Sequence, residues 1–441
     1  MDVDDLWQEQ KDKKEVFISG KTEQGSKLDY ENDAYDALHR MTVEWPMLSF
    51  DFLTDSLGHN RTKYPHTAYL VGGTQSDHVR NKILFLKASE LNKTRFDEKE
   101  EEDDDEEDDD DLDVVDEEAQ LSAPRTIIVN GAVNRVKSMP QNPGVVVAQL
   151  SQKPYVQLFN ATELVKALNE PPTKKLKTVK PLIQFNGHHS EGYALDWNRK
   201  SAGRLISGGG KGLIYVWNYK TGYWNTDSTP FVEHNGPVED LQWSPKDPEV
   251  FASCSCDKTI KLWDCRQPHN KSASSVQAHD CDVNVISWNR IVPFLMVSGG
   301  DEGVVKLWDT RKLGAGAKME FAWHRGPITS VEWSPFEDSV LAAASEDNSV
   351  SIWDLSAERD EVEEDQKDLD NKIPEQLLFV HQGQTDIKEI HWHRQIVNVL
   401  GSSALDGFHF FKPSNLIDAV DMEKPVEETK QKTIGDAMQE E

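Results

Sequence analysis

The stretch HNGPVEDLQWSPKDPEVFASCSCDKTIKLWD, residues 234–264, decides the fold, because its landmarks recur at fixed distances along the chain. His188, His234, His279 and His324 each stand nine residues before a tryptophan: Trp197, Trp243, Trp288 and Trp333. Each of these stands twenty residues before a second one: Trp217, Trp263, Trp308 and Trp353. Gap-free agreement over four segments spaced 45 or 46 residues apart marks an internal repeat rather than chance. Within one period the chain reads as short strands, VEDLQWS, VFASCS and TIKLWDC, then a weaker outer strand, with the turn clusters SPKDPE and CDK between them.

The second tryptophan is followed by Asp264, Asp309 or Asp354, and once by Asn218, so the unit resembles a WD-repeat blade. That resemblance implies a hydrogen-bond relay inside each blade, here His234, Ser253, Asp257 and Trp263, with a structural role. Lys211 replaces the turn Asp in the first repeat, Glu302 stands there in the third, and Ala343 replaces the Ser in the fourth, so weaker relays are expected in these three. Four blades would leave open sheet edges, and residues 41–91, 125–159 and 376–412 supply three degenerate ones. The expected fold is all-β, a seven-bladed propeller over residues 42–412.

Other segments are not blade. Residues 1–28 read as a flexible N-terminus. Over residues 29–41, Tyr30, Ala34, Ala37, Leu38 and Met41 fall at helical spacing, which predicts a short amphipathic N-terminal helix. Residues 97–118 hold 18 acidic side chains and one Lys, an insertion too charged to collapse. A second acidic loop covers residues 358–372, and residues 413–441 form an acidic tail. In the linker PPTKKLKTVKP, residues 171–181, Lys174, Lys175 and Lys177 resemble a short nuclear-import signal.

With a formal net charge of -30, the chain repels phosphate backbones and attracts Lys/Arg-rich surfaces, so basic proteins are the expected partners and direct nucleic-acid binding is not. The 4 cysteines cluster between Cys254 and Cys281, with Cys256 and Cys265 between them, which points to a reducing compartment. No apolar run approaches membrane-spanning length, and a soluble intracellular monomer is expected. No catalytic centre, cofactor or metal is expected: the repeat histidines have structural roles, while Cys254-x-Cys256 and His391-x-His393 each lack a partner pair for a metal. The glycine run 208–210 precedes a strand, so it offers no helix N-terminus to a phosphate.

Binding is expected at the channel mouth, where residues at one offset in every blade form a ring on one face. Four before the first tryptophan stand Tyr193, Glu239, Asn284 and Thr329, matched by Asn134 in a degenerate blade, with Glu191 and Asp282 two residues earlier in theirs. The degenerate stretches HRMTVEWPMLSFDFL, VNRVKSMPQNPG, EGYALDWN and IPEQLLFVHQG resemble those of the retinoblastoma-binding histone chaperones. This resemblance implies that the ring holds a basic peptide. It also implies a partner groove between the N-terminal helix and the loop before the last blade, mapped to Tyr35, Leu38, Leu377, Leu378, Phe379 and Val380. Only Pro374 remains of that loop's paired prolines, and Ala132 replaces an acidic ring residue. With its long acidic insertion the chain is most similar to the glutamate-rich WD-repeat family. That similarity implies a nuclear and nucleolar chaperone for histones and large-subunit ribosomal protein three, acting on pre-ribosomes. The competing expectation rests on Trp263-Asp264-Cys265-Arg266 and Trp308-Asp309-Thr310-Arg311, which resemble the WD-x-Arg motif of substrate receptors in cullin-based ubiquitin ligases.

Overall fold

The structure is a computed structural model that describes residues 34–43, 46–76, 80–94, 119–172, 176–357 and 373–416, all within the compact unit Asn32–Glu441. Seven antiparallel sheets form a β-propeller. The regular fourth blade shows the pattern: Val238–Trp243 innermost, then Val250–Ser255, Thr259–Asp264 and Ser274–Gln277 outermost. Its second strand, Val250–Ser255, is buried along nearly its whole length because it is covered by sheets on both sides. Apolar clusters lie between neighbouring sheets, as where Val285 and Val297 of the fifth blade meet Val331 and Leu341 of the sixth. At Gly212 and Gly303 the turn between second and third strands takes a positive φ, and an added Cβ would come within 2.6 Å of a carbonyl in the next blade.

Adjacent inner strands are not paired through their backbones, so their N–H groups need other acceptors. Polar side chains supply them. Asp51 accepts the N–H of Ser138 (2.9 Å), Asp196 that of Trp243 (2.7 Å) and Gln242 that of Trp288 (2.8 Å). Ser287 accepts from Trp333, Glu332 from Trp392 and Glu389 from Phe50, closing the circle from the seventh blade to the first.

The expected N-terminal helix is corrected by the structure: Tyr35–Met41 is a strand. It pairs with Gly407–Pro413 and completes the seventh blade as its outermost strand. A register shift between Tyr35 and Ala37 mixes the strand period with a longer step, which imitates helical spacing, and the open edge of Gly407–Pro413 overrides the local pattern. Residues 29–33 of that segment lie outside the described residues. Two blade starts move for the same reason. Arg125–Ile128 pairs with Lys82–Leu91 as an outer strand of the first blade, and Leu377–His381 with Val350–Asp354 as the outer strand of the sixth. A short helix, Thr162–Lys166, is inserted before the outer strand of the second blade.

The relay residues of the fourth blade are hydrogen-bonded to one another. His234 Nδ1 lies 2.8 Å from Asp257, its Nε2 2.6 Å from Ser253 Oγ, and Trp263 Nε1 donates to the same Oγ at 2.8 Å. The departures behave differently from one another. Glu302 reaches His279, so the longer acid substitutes. In the sixth blade Ser351, the cross-strand neighbour of Ala343, supplies the missing hydroxyl, 2.7 Å from both His324 Nε2 and Trp353 Nε1. Among the four regular repeats, the third blade alone has a shortened relay: Lys211 leaves His188 Nδ1 without a carboxylate among the described residues, although Nε2 still meets Ser207 at 2.7 Å. Ser351→Ala is therefore expected to cost about 2–3 kcal/mol, since the buried Trp353 Nε1–H loses its acceptor and His324 Nε2 loses its hydrogen-bond partner. Thermal unfolding checks this, and an unchanged midpoint would refute the substitution of one serine for the other.

Candidate functional site

Each inner strand starts at one face and ends at the other, so its first residues ring one mouth of the channel. The structure brings the expected ring residues together there. Asn134 Nδ2 donates to Glu191 (3.2 Å) and to the Gly192 carbonyl (3.3 Å), and Arg135 Nε donates to the Tyr193 carbonyl at 2.9 Å. Asn284 Nδ2 donates to Asp301 at 2.9 Å, and Cys256 Sγ donates to Glu239 at 3.2 Å. Thr329 Oγ1 is buried without a hydrogen-bond partner among the described residues. Tyr193 stays 39% exposed, an aromatic face on the rim. Burial, with the like charges of Asp282 and Asp240, pushes the Glu239 carboxyl up, although Cys256 and Arg135 oppose this. Burial and the acids Glu191 and Glu239 raise the Tyr193 hydroxyl. A self-repelling acidic mouth of this kind is relieved by a cationic side chain. Sequence spacing did not reveal Asp301, Cys256 or Arg135 as members of the rim.

Below the rim lies a buried charge network that the sequence reading missed. Glu389 accepts from Arg135 at 2.5 Å and Lys137 at 2.9 Å, and its other oxygen takes the Phe50 N–H at 2.8 Å. His391 bridges Glu332 (2.9 Å) and Glu389 (3.0 Å), while burial and its two carboxylates act in opposite directions on its pKa; the acids win, so it holds its proton more tightly. Burial disfavours the Glu389 carboxylate, but Lys137, Arg135 and His391 outweigh that and hold it well below the usual range. The available signal was charge at inner-strand positions, such as Arg135, Lys137 and Glu389, where a solvated strand needs none.

The mapped partner groove is differently built from its expectation. Tyr35 and Leu38 sit on the closing strand and Leu377, Leu378, Phe379 and Val380 on or beside the neighbouring outer strand, so these residues form two strands rather than a helix and a loop. Tyr35 is buried, its ring 5.1 Å edge-on to Phe379 and its hydroxyl 2.7 Å from His381, so those two walls already touch. Leu38, Leu377, Leu378 and Val380 remain half-buried. Both acidic tracts connect a third strand to an outer strand, Lys82–Leu91 to Gln120–Leu121 and Val350–Asp354 to Leu377–His381. Third strands run parallel to inner ones, so both tracts leave from the face opposite the acidic mouth. The tracts themselves, residues 97–118 and 358–372, lie outside the described residues, as do residues 1–28, 417–441, Lys174 and Lys175; Lys177 is exposed. Arg266 is bonded to Asp264 (2.7 Å) and Asp247 (2.9 Å), and Arg311 to Asp309 (2.7 Å).

Comparison with known proteins places these features in context. The histone-binding family described by its members RBBP4 and the corresponding component of the CAF1 complex matches residues 25–92, and "WD domain, G-beta repeat" matches residues 226–264, 270–309 and 317–354. The chain is 50% identical over 423 residues to Glutamate-rich WD repeat-containing protein 1 of Dictyostelium discoideum, covering 92% of this chain and 86% of that protein. It is 42% identical to Protein HEAT STRESS TOLERANT DWD 1 of Arabidopsis thaliana, covering 91% and 92% of the two chains. It is 41% identical to Ribosome assembly protein rrb1 of Schizosaccharomyces pombe, covering 89% and 83%.

Proposed function

The chain belongs to the glutamate-rich WD-repeat-containing protein family, and from that premise we propose that it is a non-enzymatic chaperone that binds basic proteins during ribosome assembly and in chromatin. The observation that carries this reading is the acidic mouth, where Glu191 and Glu239 lie close to an exposed Tyr193 and Asp282 lies close to Glu239. A Lys or Arg side chain entering there gains charge-assisted bonds and an aromatic face. The clients in this reading are large-subunit ribosomal protein three and histones, and the compartments are nucleus and nucleolus, with Lys174, Lys175 and Lys177 as the import signal. The acidic tracts attract such clients over longer range than the mouth can. Leu38, Leu377, Leu378 and Val380 offer a secondary apolar contact for a client segment.

Cross-linked purification of the full chain from nuclear extract tests the reading. Ribosomal proteins and histones are expected in the wild-type sample and depleted with Glu239→Lys/Asp282→Lys. Recovery of cullin-ligase adaptors in their place would overturn it in favour of the ligase-receptor role of Arg266 and Arg311.

A further inference from the structure

The channel has a second mouth of opposite character. Two residues beyond the inner-strand tryptophans Trp197, Trp288 and Trp392 stand Arg199, Arg290 and Arg394, where the fourth and sixth blades carry Pro245 and Pro335. These arginines come from the third, fifth and seventh blades, so they are distributed around the axis on alternate blades. All three line one cavity of about 90 Å³ inside the ring. On the same measure a water needs roughly 10–15 Å³, so several waters or one small polyatomic ion fit.

Their own counter-ions are incomplete. Arg290 is 3.5 Å from Glu332 and Arg394 is 3.5 Å from Asp51, long separations for ion pairs. Arg394 Nε is buried without a hydrogen-bond partner among the described residues. The neighbouring acids are only partly committed elsewhere. One Glu332 oxygen serves His391 and the Trp392 N–H while the other faces Arg290, one Asp51 oxygen serves Ser138 while the other faces Arg394, and Asp240 serves the Ile286 and Leu241 N–H groups. Asp196 accepts from Trp243, and burial pushes its carboxyl up to about 6. Glu389 is taken by Arg135 and Lys137. Burial and the charges of Arg290 and Arg394 together lower Arg199 well below its ordinary value, outweighing the opposing carboxylates of Asp196 and Asp51.

We infer that Arg199, Arg290 and Arg394 form a binding site for a phosphate-type tetrahedral oxyanion at the channel mouth opposite the acidic one. Three guanidinium forks approaching from separate blades suit an ion that presents oxygens in several directions and carries two charges; a planar carboxylate has two oxygens on one side. This goes beyond the binding of basic clients, since it adds an anion site inside a channel whose other mouth is acidic.

The test is thermal unfolding of the full chain at constant ionic strength, with inorganic phosphate, phenyl phosphate or acetate replacing chloride in series. A saturable rise in melting temperature is expected with inorganic phosphate, and with phenyl phosphate as well if the site accepts a phosphoryl group carried on a molecule. Arg199→Gln should melt no lower than wild type in chloride, because it removes a like-charge neighbour, yet need roughly tenfold more phosphate for the same rise. Arg266→Gln, on the same face but outside the channel, should respond like wild type. An equal phosphate response in Arg199→Gln, a larger response to acetate than to phosphate, or no saturable response to either phosphate would overturn the inference.

Discussion

Glu389→Ala should lower the stability of the propeller by about 4 kcal/mol, more than any change at the acidic mouth. Glu389 is 1% exposed and is the shared counter-ion of Arg135, Lys137 and His391. Truncation leaves those cations facing a low-dielectric channel without compensation, and it orphans the Phe50 N–H that joins the first blade to the seventh. Glu389→Gln keeps an acceptor for that N–H while losing the charge, so its loss should be smaller than that of the alanine variant. Urea unfolding of the two variants beside the wild type measures both. An alanine variant as stable as wild type would mean that the network does not join the ring.

Acid is expected to act through a different set of groups. Burial holds His188, His66 and His409 down at about 4, and His381 and His393 well below their ordinary value. For each ring the folded pKa lies below the unfolded value near 6.5, so the unfolded chain binds the extra proton. Stability is therefore full above about pH 6.5 and falls as pH drops from 6.5 towards 4. His188 alone contributes on the order of 3 kcal/mol of that loss at the acid end. Four groups oppose it: Asp196, raised to about 6, Glu239 and Asp240, whose carboxyls burial also raises, and His391, which binds its proton more tightly when folded. With His39 and His279 lowered as well, seven histidines stand against these four groups, and the urea midpoint should fall steadily between about pH 6.5 and 4. His188→Asn should flatten that slope by roughly one proton's worth, about 1.4 kcal/mol per pH unit. A flat profile in the wild type would contradict the neutral, buried state of these rings.

The ring was legible because its repeat is rigidly spaced: one offset places His234, another Trp263, and the relay between them follows from a single blade. What was missed depends on neighbours that are distant in the chain. Tyr35–Met41 takes strand form because Gly407–Pro413 leaves an edge open, which no local window can register. Ser351 replaces the hydroxyl missing at Ala343 through cross-strand adjacency, which spacing within one strand cannot express. Glu389 and Arg135 meet only once the seventh blade lies against the first and second. The acidic rim was readable from the offset of Glu239 and Asp282, whereas the arginines at the other mouth follow irregularly, in three blades of seven.

The most direct measurement of the central claim is the affinity of a Lys/Arg-rich peptide for the full chain by titration calorimetry, with wild type and Glu239→Lys/Asp282→Lys compared at physiological ionic strength. Reversing two rim charges puts cations where the peptide's cation must sit, so affinity should fall at least tenfold, about 1.4 kcal/mol, while the variant keeps a cooperative unfolding transition. A folded double variant that binds the peptide as tightly as wild type would show that the acidic mouth is not the binding site.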